Sequence, residues 1–117
     1  SNNADQMTVN SRDGEKIGHV SSFMINKRSG QALYAVLTIG GFLGLGKAYY
    51  PLPFSLLAYD PVNDGYQITI DRRVLEGGPS WANNAPLFDQ SYADRVASYY
   101  DVARENLSLD MTGSTSI

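Results

Sequence analysis

The sequence predicts a mainly β fold: a small antiparallel β-barrel, followed by an arm and one amphipathic helix. Three observations point there. Up to Leu75, short apolar segments recur between turns rich in Gly, Asn, Asp and Pro. One of these segments, Gln31 to Ile39, is apolar on both faces, as a strand covered on each side must be. After Leu75 the composition shifts, and beyond Ser91 apolar residues recur at helical spacing.

Taken in order, residues 1–8 read as a flexible lead. Ser1-Asn-Asn-Ala resembles an expression scar or a processing product, which leaves room for a removed signal peptide or upstream segment. The barrel is expected over residues 9–79. Ile17 to Ile25 mixes apolar and small polar residues without clean periodicity, and a single strand fits it best. Asn26-Lys-Arg-Ser-Gly30 is turn chemistry, Gly30 being free to take positive φ. In the next strand Leu33, Ala35, Leu37 and Ile39 share one face, with Tyr34, Val36 and Thr38 on the other. Tyr49 to Leu52 reads as a further strand, Pro51 marking it as an edge or a bulge. Phe54 to Tyr59 is another short apolar piece. Asp60-Pro-Val-Asn-Asp-Gly65 is a hairpin turn, and Tyr66 to Ile70 alternates as a half-buried strand does. Glu76-Gly-Gly-Pro-Ser80 breaks regular structure, and residues 80–107 hold an irregular arm and the helix. Ser91-Tyr-Ala-Asp94 matches a capping box, and Tyr92, Val96, Tyr100, Ala103 and Leu107 recur on one face, so a helix is expected over about residues 91–106. Residues 108–117 are small and polar enough to read as a disordered tail.

One segment tests whether the chain is a nucleotide enzyme. Gly41-Phe-Leu-Gly-Leu-Gly46-Lys47 fits the G-x-x-x-x-G-K phosphate loop, but Ala48 stands where the motif needs a Ser or Thr hydroxyl on Mg²⁺. Such a loop must also open a helix, whose amides and dipole hold the anion. Here Pro51 and Pro53 remove donors and favour extended backbone instead. Gly40, Gly41, Gly44 and Gly46 then read as a sheet corner, supplying positive φ or close backbone approach.

Composition narrows the function further. The chain has 117 residues, 43% hydrophobic and 18% charged, with a net charge of −3. That balance suits one soluble globular domain and argues against a nucleic-acid surface, while the absence of cysteine fits a reducing cytoplasm. The basic residues scatter; Lys27-Arg28 and Arg72-Arg73 read as solvated turn charges. With no cysteine there is no disulfide framework or thiol nucleophile. No apolar run reaches the ~18 residues that span a bilayer, so direct membrane insertion is not expected.

Gly14-Glu-Lys-Ile-Gly18, the block YAVLTIGGFLGLGKAYYPLPFSLL, and Gln67-Ile-Thr-Ile-Asp71 with Leu75 together resemble the PRC-barrel family. That domain forms the cytoplasmic portion of the photosynthetic reaction-centre H subunit and part of a ribosome-maturation protein. The resemblance covers roughly Val9 to Pro79, and the Trp81 to Tyr100 extension looks like the tail of stand-alone bacterial members. The family pattern carries a further strand before G-E-x-I-G, where this chain has only Met7-Thr-Val9. The first barrel edge is therefore expected to be short, or completed by a second copy. The resemblance implies a non-catalytic assembly or interaction module, with no cofactor and no catalytic residues to carry over.

The residues agree with that implication. His19 is the only histidine and has no thiol or carboxylate neighbour in sequence, so it reads as a surface or hydrogen-bonded residue. Asp60-x-Val62-x-Asp64-Gly65 is like a calcium loop, but Val62 stands where an oxygen ligand is required and Asp71 replaces the bidentate Glu. Asp13 and Glu15 flank a turn glycine as solvent charges. No metal site is expected. If the protein works by binding, its eight tyrosines and one tryptophan are the place to look. The candidate interface residues are Phe42, Leu43, Tyr49, Tyr50, Trp81, Tyr99 and Tyr100, the competing reading being that Tyr50 and Tyr100 are core and the Trp81 arm covers the barrel's own edge. A homodimer is expected, together with an unidentified protein partner, for instance in a membrane-associated complex. Two other readings stay open. One is a ligand-binding protein or enzyme with a pocket at the Gly40–Gly46 corner, where only Lys47 and His19 offer polar groups. The other is a ribosome-assembly-type factor binding a basic ribosomal protein.

Overall fold

The computed structural model describes residues 7–40 and 46–116, with residues 105–116 as backbone alone. Six strands form one mixed sheet that curls into a half-barrel: β1 (Thr8–Asn10), β2 (Lys16–Ile25), β3 (Ala32–Ile39), β4 (Ala48–Pro53), β5 (Leu57–Asp60) and β6 (Gly65–Ile68). The spatial order is β4-β3-β2-β1-β6-β5. All neighbours are antiparallel except β1 and β6, which no hairpin joins and which run parallel. The first strand is as short as the sequence suggests, but it is no edge. Val9 pairs with Gly18 on one side and Tyr66 on the other, and is fully buried. The edges are β4 and β5.

The missing periodicity of Ile17–Ile25 has a physical cause. The β2–β3 register shifts between Val20 and Ser22 and again between Met24 and Ile25, so side-chain alternation restarts twice within one strand. Ser21, the extra residue at the first shift, donates its hydroxyl to the Val36 carbonyl at 3.0 Å. Gly18 is required where β2 meets β3, because a Cβ there would lie 2.0 Å from the Thr38 carbonyl oxygen. On β3 every residue from Tyr34 to Ile39 is buried, the two-faced cover that its composition predicts.

Strand β4 shows how an edge accommodates proline. Its register with β3 is unbroken from Ala48 to Pro53. Tyr49 turns its backbone outward, its amide and carbonyl both bonded to Trp81, at 2.8 and 3.1 Å. Pro51 and Pro53 share that parity, so the amides they lack would have pointed away from β3. At the opposite edge the Thr69 amide donates to the Leu56 carbonyl at 3.0 Å, after a single 3₁₀ turn at Phe54–Leu56. Alternation then turns Ala58 and Asp60 toward β6 and leaves the backbone of Leu57 and Tyr59 facing outward.

The turns follow their residue chemistry. The Asn26 side chain accepts from the amides of Arg28 and Ser29, at 2.9 and 3.1 Å, and Gly30 takes φ +73°. In the β5–β6 hairpin Asp60 accepts from the Val62 amide at 3.0 Å, and Asp64 rather than the following glycine takes positive φ. A five-residue helix, α1 (Arg72–Glu76), follows β6, capped by Asp71, which accepts the Arg73 amide at 2.8 Å. It ends at Gly77, within the expected breaker.

The long helix α2 (Gln90–Ser116) departs from the sequence reading at both ends. Asp89 is the cap, accepting the Tyr92 amide at 2.9 Å, while Ser91 Oγ instead accepts from Arg95 at 3.0 Å. Aspartate is at least as good a cap as serine, and it stands where the arm turns into the helix. The helical backbone continues past 106 through the residues assigned to a tail, where no proline interrupts it and propagation needs no new nucleus. Tyr92, Ala93, Val96 and Tyr100 bury one face of α2 against the sheet. They join a core centred on Val9, Leu37, Leu52, Ile68 and Leu75.

Candidate functional site

Of the glycine corner, Gly41 to Leu45 lies outside the described residues, and with it the candidates Phe42 and Leu43. What flanks them bears on the phosphate-loop question. Gly46 takes φ +71° as a corner residue should, whereas a Cβ on Gly40 would meet nothing within 4 Å and needs no special backbone. Lys47 is exposed, and strand β4 rather than a helix follows it. Among the described residues, no helix N-terminus follows Lys47 to hold a phosphate.

The remaining aromatic candidates separate into two groups. Tyr49 and Trp81 stack with ring centres 5.6 Å apart. Trp81 also meets the edges of Phe88 and Tyr92, at 5.4 and 6.3 Å. Tyr92 in turn packs on Tyr34 at 6.1 Å, under the Arg95 guanidinium at 5.3 Å. The arm therefore covers the β4 edge with this chain's own aromatics. Tyr100, expected as a candidate interface residue, is instead almost fully buried and belongs to the core, because the buried face of α2 draws it inward. Tyr99 lies against Gly78 and donates its hydroxyl to the Val74 carbonyl at 2.7 Å, tying α2 to α1. Tyr50 is half-buried, on the same face of β4 as Leu52.

Burial leaves its mark on these phenols. Burial first, then Tyr92 and Asp89, push the Tyr34 phenol up to about 12. Burial also drives Tyr92 and Tyr100 upward, and neither buried hydroxyl has a partner among the described residues.

The carboxylates serve the turns. Asp13 accepts from the Ser11 hydroxyl and from the Glu15 amide at 3.0 Å, and the Ser11 contact leads in holding it below its ordinary 3.8. Asp60 is held down chiefly by Asn63, and Asp71 by the Arg73 amide and side chain. Arg12, Arg72 and Arg73 are also engaged, the first and last with Asp71 and the second with Glu76 at 2.9 Å. Asp60, the first position of the calcium-like segment, thus binds its own turn through Val62 and Asn63. His19 is exposed on β2, opposite Thr8 and Thr38. Among the described residues, no group of three or more His, Cys, Asp or Glu is placed to hold a metal ion.

Residues that sequence reasoning did not single out are the exposed apolar ones. Ile25 on β2 is 56% exposed, Leu87 on the arm 78% and Phe88 43%. Leu87-Phe88 immediately precedes the Asp89 cap, the one signal that could have marked it as a fixed apolar corner. Among the described residues, no helix is long and apolar enough to cross a membrane.

A search of curated proteins returned no match. The family model described as PRC-barrel domain matches residues 2–75, a span that takes in all six strands and ends inside α1. With that match over more than half of the chain, and with a six-stranded half-barrel built from the matched residues, the chain belongs to the PRC-barrel domain family.

Proposed function

We propose that this protein is a non-catalytic interaction and assembly module, which self-associates and docks on a second protein in the cytoplasm. The observation that carries this reading is how its side chains are used. Asp13, Asp60, Asp71 and Asp89 each accept backbone amides of turns or helix starts, and the arginines near them are paired. Acid–base chemistry instead needs a carboxyl or imidazole within hydrogen-bond reach of a substrate in a shared cleft. Ile25, Leu87 and Phe88, in contrast, stand exposed, as contact residues do. Self-association is supported by the outward backbone of β5, which a second copy could pair, while β4 is already covered.

The test is light scattering coupled to gel filtration, together with affinity capture of the tagged chain from its native cells. A mass near twice 12.8 kDa and a defined co-purifying protein are expected. A mass of 12.8 kDa at all concentrations removes self-association. Saturable turnover of a small molecule by the purified chain opposes the non-catalytic reading.

A further inference from the structure

A cleft of about 470 Å³ lies between the β2–β3 turn and the start of α2. It falls in the range of about 300–1,000 Å³ that pre-formed ligand pockets occupy. Ile25 and Phe88 give it apolar walls, and Tyr34 from β3 lines it. Lys27 and Arg28 lie on one wall, and neither forms an ion pair among the described residues. Asp89 lines the cleft too, but its carboxylate is held by the Tyr92 amide at 2.9 Å as the helix cap. The two cations therefore outnumber the one carboxylate that shares the cleft, in a chain whose other basic pair, Arg72-Arg73, is ion-paired with Glu76 and Asp71. Their backbone is fixed, because the Asn26 side chain accepts the amides of Arg28 and Ser29. Tyr34 is 2% exposed, and its hydroxyl has no hydrogen-bond partner among the described residues. A concave site with apolar walls, an excess of cations over carboxylates and an unused donor suits an extended segment carrying both apolar and acidic side chains.

We propose that this cleft binds an acidic, apolar peptide segment of a partner protein. One apolar side chain enters beside Ile25 and Phe88, and flanking carboxylates meet Lys27 and Arg28. This rests on the reading of the chain as an interaction module and names the chemistry of its partner. A flat anionic bilayer fits less well, since the feature is concave.

The test uses the full chain, isotope-labelled, in amide correlation spectra. It is titrated with a short peptide alternating Leu and Glu, with one alternating Leu and Lys, and with phosphatidylcholine vesicles containing phosphatidylglycerol. The Leu/Glu peptide is expected to shift the amides of Met24 to Arg28 and of Asp89 to Ala93, and to saturate. Lys27→Glu with Arg28→Glu should weaken it about tenfold, as two partly screened pairs allow, with the melting temperature unchanged. Tyr34→Phe should weaken it about fivefold, for one lost hydrogen bond. Equal binding of the Leu/Lys peptide, shifts elsewhere, binding to vesicles in place of peptide, or no saturation at millimolar peptide overturns the proposal. Cross-linking in native cells separates this proposal from the reading beneath it. Capture lost only in the double variant supports the cleft. Equal capture by both forms overturns the cleft and leaves the module standing, and capture by neither removes both.

Discussion

The sheet ends in two edges that face the same hazard and are treated differently. At β4 the chain covers itself: Trp81 bonds both backbone groups of Tyr49 and stacks on its ring, and Pro51 and Pro53 present no amide where one would point outward. At β5 there is no such cover among the described residues. That edge is four residues long, carries Asp60, and exposes Tyr59. Shortness, charge and proline are all ways of keeping a sheet from growing, but only the first two leave the backbone open to a chosen partner. The difference shows that the arm is part of the sheet's closure and not an appendage. It also leaves β5 as the edge available for pairing.

The comparison can be broken by proline substitution, which reads backbone direction. Ala58→Pro should cost about 3 kcal/mol in chemical denaturation, because that amide faces β6. Tyr59→Pro, facing outward, should cost about 1 kcal/mol, for its side-chain contacts and φ adjustment. If the protein dimerises through β5, Tyr59→Pro also halves its mass in light scattering. Equal losses for the two variants would show that the assigned backbone direction is wrong. Trp81→Ala should cost about 2 kcal/mol, less than a fully buried tryptophan, and should raise the associated fraction by uncovering β4. An unchanged mass would mean that the prolines suffice without the arm. Hydrogen exchange sharpens the contrast, since the Tyr49 amide should be slow and that of Tyr59 fast; a protected Tyr59 would place a second copy on β5.

The two sides should also respond to opposite ends of the pH scale. Tyr34 is raised from 10.0 to about 12 by burial, so its contribution is complete below pH 10 and is lost as pH rises toward 12. Asp60 and Asp71 are lowered, so their contribution is present above 3.8 and is lost as pH falls through their folded values. Thermal melts followed by tyrosine absorbance should show the alkaline loss, and Tyr34→Phe should remove part of it. Acid should loosen the β5–β6 hairpin and α1 first, as amide spectra would report. The smallest effect is at Lys47, where alanine should leave stability within about 0.5 kcal/mol. Calorimetry should find no ATP or GTP binding to lose, and micromolar affinity would reverse the corner's assignment.

Much of this organisation was legible. Pro51 marked an edge or a bulge, the two-sided apolar run of β3 marked a covered strand, and Ala48 with two prolines argued against a phosphate loop. What the sequence conceals has physical reasons. The bulges of β2 restart the alternation, so no single period describes it. Helix α1 is one turn long, too short for a periodic signal, though Asp71 before it was a cap in plain view. Asp89 outcompeted Ser91 because capping depends on where the preceding chain arrives, which the arm decides. Tyr100 was ambiguous because a tyrosine suits a core and an interface equally well. The cleft was hidden because Lys27-Arg28 lies more than fifty residues from Phe88 in sequence.

The three residues of β1 have a further consequence. They precede every other strand in sequence, yet they sit at mid-sheet, joining the β2–β3–β4 meander to the β5–β6 hairpin. Each half is held by local turns, but the join brings Val9 to Tyr66 across more than fifty residues, the contact whose closure costs the most chain entropy. A keystone of that kind makes the half-barrel fold and fail as one unit. An extension that pulled Thr8–Asn10 from its slot would part the sheet down its middle, where trimming the arm would only bare one side.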